Sequence, residues 1–307
     1  MSLRRSKAAS REVANLSKVR IKVENGRFRV VGLGAWYSYW RDPYHLMLTI
    51  PWPGFIAITS GLYLLGNALF ALAYLAGGDA IVNAEPGSFQ DAFFFSVQTL
   101  ASIGYGAMHP ANLYADILVT LEALTGLLGV AVLTGLAFAR FSRPTARVMF
   151  SQVAVITQFE GIPTLMFRAA NERRNQISEA QLRVYIMRDE VSAEGQRLRR
   201  FHQLRLLRDQ TPSFLLTWTA MHPIEPDSPL YGSTEASLQR HNATLAISFS
   251  GLDETVAQTI HARYSYAAPE IRWNSRFKDI FQYTDEGDRY IDYSNFHQTI
   301  PIDLPAP

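Results

Sequence analysis

The chain has 307 residues, a formal net charge of +2 and an average composition, 48% hydrophobic and 18% charged. That length allows two domains, and the lack of cysteine excludes disulfide staples and thiol chemistry. The charges are placed unevenly: residues 1–45 carry ten Lys or Arg, residues 46–139 carry none, and the others lie from Arg140 onward. Ninety-four consecutive residues without a cation point to a membrane domain followed by a soluble one.

Residues 1–35 form a basic segment without clear periodicity, expected in the cytoplasm. Trp36, Tyr37, Tyr39, Trp40 and Tyr44, with Arg41 and Asp42 among them, suit a short helix lying on the membrane surface over residues 36–48. Residues 46–78 carry no charge, and a span needs only about 20 apolar residues. An outer helix is therefore expected over 49–77, with Pro51 and Pro53 in its first turn, where amides have no helical partner. Residues 88–101 can form a helix only about 20 Å long, too short to cross, so this stretch reads as a re-entrant pore helix. Ser88 with Asp91 three residues on is spaced as a helix cap. An inner helix is expected over 113–140, with Asp116 and Glu122 near its start and Arg140, Arg143 and Arg147 at or beyond its end.

Cations flank both spanning helices on the sides away from their connection, which places both termini in the cytoplasm of a multi-pass protein of the cell inner (plasma) membrane. Together these segments form a pore domain over 49–140, and residues 141–150 read as a linker. Over 151–298, β-rich runs at 153–156, 164–167, 182–187, 204–207, 214–217, 243–249 and 271–273 are separated by turn residues. They predict a cytoplasmic β-sandwich, and residues 299–307 a tail. The fold class expected is an α + β membrane protein.

The re-entrant stretch ends in Thr99-Leu100-Ala101-Ser102-Ile103-Gly104-Tyr105-Gly106. A dehydrated potassium ion needs several oxygens in place of its water, and rings of backbone carbonyls from several chains supply them. Carbonyls converge on one axis only with unusual dihedrals, which Gly104 and Gly106 permit. Ser102, Ile103, Gly104 and Tyr105 are the potassium-binding positions of a candidate filter over 102–106. Tyr105 would brace it from behind, and the Ser102 hydroxyl would serve the innermost ring. A bare Gly-Tyr-Gly is more often a turn; here it follows a short apolar helix, between two spanning helices, in a loop without cations.

The filter resembles the potassium channel signature, and Ala92-Phe93-Phe94-Phe95-Ser96-Val97-Gln98-Thr99 narrows the resemblance to inward rectifier channels of the prokaryotic, KirBac type. Ala139-Arg140-Phe141-Ser142-Arg143-Pro144 resembles that family's membrane-to-cytoplasm linker. Met221-His222-Pro223-Ile224, Asp227-Ser228-Pro229-Leu230-Tyr231-Gly232 and Gly251-Leu252-Asp253-Glu254-Thr255 resemble its soluble domain. The resemblance covers residues 36–298. It implies a homotetramer with three identical partner subunits, an immunoglobulin-like sandwich, potassium ions in the filter with no other cofactor, and no nucleic-acid partner. Gln98, Thr99 and Glu122 are expected to support the filter. Two departures stand out: Ser102 replaces the usual Thr, and Gln98 replaces a Glu that many relatives pair with a cation beyond the filter.

On the inner helix Gly126, Val130, Thr134 and Phe138 recur at spacings of four, which puts them on one face. They are expected to line the pore, with Gly126 and Gly135 as flexible points. Phe138 falls where the family narrows its pore with a hydrophobic ring; by spacing alone it could equally pack between helices or face lipid. Val130 stands where strongly rectifying relatives carry an acid, which implies weak rectification. Ordinary positive-inside flanking explains the sign of Arg140, Arg143 and Arg147. The resemblance implies more, that anionic lipids such as phosphoinositides bind at these residues and Arg41. Glu122, ionisable within a span, is expected behind the filter, bonded to the pore helix, or else reaching water.

An enzyme finds little support: the seven His are scattered without metal-ligand spacing. The rival readings are a membrane-anchored sensor with a vestigial pore, and a pore that also passes sodium.

Overall fold

The computed structural model describes residues 20–24, 27–31, 42–283 and 288–302. They divide into two compact units, one within 34–143 and one joining residues before 34 to those from 144 onward. Trp36, Tyr37, Tyr39, Trp40 and Arg41 lie outside the described residues. The basic N-terminal segment, which showed no pattern in sequence, contains an antiparallel ladder of β1 (Arg20–Glu24) and β2 (Arg27–Val31).

The membrane unit begins with a short helix, α1 (Pro43–Thr49), whose N-cap Asp42 accepts from the His45 amide at 2.9 Å. Pro51 breaks the chain before α2 (Trp52–Ala76), so the surface and outer helices are separate elements. A two-residue strand β3 (Ile81–Val82) follows, then α3 (Phe89–Leu100), capped by Ser88 Oγ on the Asp91 amide at 3.2 Å. At 12 residues α3 is about 18 Å long, short of the about 30 Å of a bilayer core. Strand β4 (His109–Pro110) pairs back onto β3. Asn112 then caps α4 (Leu113–Phe141), accepting from the Ala115 amide at 3.0 Å. Among the described residues, α2 and α4 are the two helices long and apolar enough to cross a membrane. Within one protomer they bury only a few positions and leave leucines such as Leu62, Leu69, Leu127 and Leu128 exposed, as lipid-facing helices do.

The second unit is a β-sandwich. Its strands are β5 (Val148–Phe150), β6 (Ala154–Phe159), β7 (Ile162–Asn171), β8 (Ile177–Val191), β9 (Arg197–Leu204), β10 (Gln210–Ser213) and β11 (Thr217–Pro223). After a helical turn, α5 (Glu235–Arg240), come β12 (Thr244–Asp253), β13 (Gln258–Ala267), β14 (Ile271–Trp273), β15 (Ser275–Phe277), β16 (Phe281–Tyr283), β17 (Arg289–Ile291) and β18 (Thr299–Pro301). One sheet runs β10-β8-β12-β13, with β9 also on β8; the other runs β11-β7-β6-β14, with β5 on β7. Alternate residues of β8, β11 and β12 turn inward, the period-two pattern of strands with one buried face. Leu165, Phe167 and Trp218 from one sheet meet Leu182, Ile186, Leu245, Phe249 and Tyr266 from the other in a single core.

The runs expected as strands at 204–207 and 214–217 are loops except at Leu204 and Thr217. Phe214 is nonetheless fully buried, its ring centre 5.1 Å from that of Phe249; a loop delivers it to the core, so apolarity there marks burial without strand geometry. β5 falls within the stretch expected as linker and β18 within the expected tail, where it pairs with β15. Arg168, buried on β7, donates to the Lys278 carbonyl at 2.7 Å and lies 4.6 Å from the Phe277 ring. It fastens the C-terminal segment to the sandwich, and burial pushes its guanidinium down to about 10.

His222 on β11 is buried with a defined tautomer. Its Nδ1–H donates to the Arg205 carbonyl at 2.5 Å, and its Nε2 accepts from the Ser228 hydroxyl at 2.7 Å. Burial lowers its pKa despite the Arg205 bond. An unfolded His titrates near about 6.5, so below that pH the unfolded chain binds the extra proton first and folding loses stability. Thermal unfolding of the purified protein is expected at lower temperature as pH falls from about 6.5 toward the lowered native value. His222→Gln should flatten that slope, whatever it does to the midpoint itself.

Candidate functional site

The pore helix α3 is held by a polar knot at its buried face. Glu122 of α4, fully buried, accepts from the Tyr74 hydroxyl of α2 at 2.7 Å and from the Ser96 hydroxyl of α3. The Ser96 oxygen also lies 3.0 Å from Asn67 Oδ1, and Asn67 Nδ2 donates to the Tyr63 carbonyl at 2.7 Å. One carboxylate thus ties all three helices together. Tyr74 packs edge-on against Phe95 at 5.1 Å beside it, with Ala71, Ala92 and Ala115 completing the apolar contact. Sequence reasoning singled out Glu122 but missed Tyr74, Ser96 and Asn67. Asn67 was the available signal, an amide in a charge-free span.

Beyond Leu100 the chain turns back on the helix end. The Gln98 carbonyl accepts from the Ile103 amide at 2.7 Å and the Gly104 amide at 3.4 Å, and the Thr99 carbonyl from the Ser102 amide at 3.0 Å. Gln98 and Thr99 thus meet the 102–104 turn through their backbone. The Thr99 hydroxyl bonds back to Phe95 O at 2.9 Å within its own helix. Every second residue of the segment is left-handed: Ser102 at φ 54°, Gly104 at 58° and Gly106 at 84°. Such alternation turns successive peptide groups the same way, as a row of cation-facing carbonyls requires. For a serine that conformation costs about 1–3 kcal/mol, a strain the sequence pattern did not reveal. Tyr105 is 76% exposed and Ile103 47%, so a single chain leaves the segment uncovered.

The inner-helix residues do not all share a surface. Val130, Thr134 and Phe138 are exposed within the protomer, Phe138 at 72%. Gly126 is buried, and a Cβ there would collide with the Leu100 carbonyl oxygen. Its expected place on the pore wall is corrected: a step of four residues advances about 40° around the helix, so three steps set Gly126 about 120° from Phe138. Its lack of a side chain lets α4 approach the end of α3.

Arg140 is corrected as well. Its guanidinium donates to the Met47 and Ile50 carbonyls, the latter at 2.7 Å, and lies 4.6 Å from the Trp52 ring and 4.8 Å from Phe55. Those carbonyls sit at the end of α1, where a helix leaves acceptors unpaired, so Arg140 is engaged inside the protein and drops out of the lipid set. Arg143 gives one bond to Leu48 O at 3.2 Å and stays exposed, as does Arg147. Arg41 lies outside the described residues. Among the described residues no cluster of His, Asp or Glu could hold a metal ion.

Residues 148–307 match the family described as the inward rectifier potassium channel C-terminal domain, and residues 58–143 the family described as ion channel. The chain is 50% identical to inward rectifier potassium channel Kirbac3.1 of Paramagnetospirillum magnetotacticum, over 92% of this chain and 96% of that protein. It is 28% identical to inward rectifier potassium channel irk-1 of Caenorhabditis elegans, over 88% of this chain and 54% of that one. It is 32% identical to the human G protein-activated inward rectifier potassium channel 1, over 71% of this chain and 45% of that one. The chain spans about half the length of these two animal relatives.

Gly126→Ala is expected to force α3 and α4 apart and to cost about 1–3 kcal/mol. Thermal unfolding of the purified variant should show the loss.

Proposed function

The chain belongs to the inward rectifier potassium channel family, and from that premise we propose that four identical copies surround one pore that passes potassium selectively and passively. The carbonyls of Ser102, Ile103, Gly104 and Tyr105 from each copy take the place of the ion's water. The alternating left-handed backbone at Ser102, Gly104 and Gly106, hung from the end of a short re-entrant helix, is the observation that carries the reading. The partial negative charge at the C-terminal end of α3 favours a cation in the cavity below. Retention of both glycines and Tyr105 argues for potassium over sodium despite Ser102.

Phe138 forms the gate. Four such rings, each exposed within its own protomer, close the path by dewetting when the inner helices converge. Val130, Thr134 and Phe138 line the conduit. Because Val130 is uncharged, internal polyamines and magnesium block only weakly. Arg143 and Arg147 meet anionic headgroups, each worth about 1 kcal/mol near such a surface, and lipid occupancy shifts gating. The sandwich and both termini lie in the cytoplasm, which the flanking cations support.

Rubidium tracer uptake into liposomes holding the purified protein, driven by a potassium gradient, tests the reading. Uptake should be blocked by barium and should not be driven by a sodium gradient. Absence of uptake in several lipid compositions, for wild type and for Phe138→Gly alike, would sink the channel reading in favour of a sensor. Phe138→Ala should raise the open fraction in single-channel records. Internal spermine should give shallow voltage dependence; steep block abolished by changing Val130 would overturn weak rectification.

A further inference from the structure

The two ends of the filter are held differently. The inner end bonds to the pore helix through the Gln98 and Thr99 carbonyls. Among the described residues of one protomer, the nearest bond beyond Gly106 comes from the outer loop: Asn83 Nδ2 donates to the Ala107 carbonyl at 2.8 Å. Asn83 stands at φ 62°, a left-handed conformation that Asn adopts more readily than most residues, and that turn carries its amide to the filter exit. The same loop is stitched to the same exit segment along its length. Ile81 pairs with Pro110, Val82 with His109, and the Ala111 amide donates to Ala80 O at 2.9 Å. At its other side the loop reaches the start of α3, where the Glu85 amide donates to Asp91 Oδ2 at 2.9 Å. The loop is therefore a strap between the start of the pore helix and the exit of the filter.

We propose that Asn83 is a positioning residue for conduction, latching this strap onto the carbonyl of Ala107 and holding the outer end of the filter in its ion-binding shape. The inference rests on residues 102–106 being the filter. Gln98 carries no charge, and the latch supplies a neutral bond at the exit of the segment. Bound potassium also holds the filter's carbonyls in place. The latch therefore matters most when potassium is scarce and the filter must keep its shape with fewer ions.

The test is the potassium dependence of barium-sensitive rubidium uptake in the full-length protein, with tetramer content checked by size exclusion. Purified wild type, Asn83→Gly, Asn83→Asp and Asn83→Ala are held at graded potassium, then reconstituted and assayed at one high concentration. Gly keeps the left-handed turn and loses the amide. Asp keeps the shape and cannot donate, while its added charge would itself draw potassium toward the mouth. Both are expected to need about tenfold more potassium than wild type to preserve half the uptake, with uptake near wild type when held at high potassium. A shift in Ala alone would assign the position to backbone conformation and overturn the latch. Wild-type behaviour in both Gly and Asp would overturn it too. Wild type lacking barium-sensitive uptake altogether would instead remove the filter reading on which the latch depends.

Discussion

A carboxylate inside the membrane unit needs partners from the protein, because hydrocarbon offers none, and the arrangement of α2, α3 and α4 follows from how Glu122 finds them. Tyr74 comes from the outer helix and Ser96 from the pore helix, with Asn67 closing the set. The Glu122 carboxylate accepts from two hydroxyls, and removal of either would leave a buried acceptor short of a partner at a cost of about 1–3 kcal/mol. The knot does more than offset its own burial. α3 is too short to reach both membrane faces, so neither interface can fix its depth. Its depth is set from the side, by one polar bond and the packing of Ala92 and Phe95 against Tyr74.

The 102–106 segment, proposed as the filter, inherits that placement. Its inner bonds run to the carbonyls of Gln98 and Thr99, in the last turn of α3, so any movement of α3 becomes a movement of the carbonyl row. Gly126 makes the same point from the other helix. α4 comes close enough to touch the Leu100 carbonyl only because position 126 lacks a Cβ. A glycine read as a flexible point is, in the fold, a site of close packing. Close packing resists deformation, which suits the back of a filter better than a hinge would.

How much could be read beforehand depended on whether a signal was local. The two spans, the short re-entrant helix and its Ser88 cap are local patterns of charge, length and residue type, and they were legible. So was the family, because its blocks are contiguous strings. Glu122 stood out as an acid beyond the first turn of the inner span, yet its partners lie 26 and 48 residues away in sequence, and nothing local marks Ser96 or Tyr74. The i+4 series from Gly126 to Phe138 misled because the small rotational drift per step accumulates. In the sandwich, β9 is exposed at nearly every position and so shows no alternation, while Phe214 is apolar in a loop. Both reflect tertiary contacts overriding a period-two expectation.

Arg140, at the C-terminal end of α4, shows the same limit. By sequence it is one more flanking cation, interchangeable with Arg143. In the fold its planar guanidinium serves two carbonyls at the end of α1 and rests against Trp52 and Phe55, a geometry that a lysine's point charge cannot reproduce. α1, the start of α2 and the end of α4 are thereby joined at one side chain. Phe138 stands two residues before it on α4. A displacement of α1 must either break those bonds or carry the end of α4 with it. α1 therefore has a direct mechanical route to Phe138, the ring proposed as the gate.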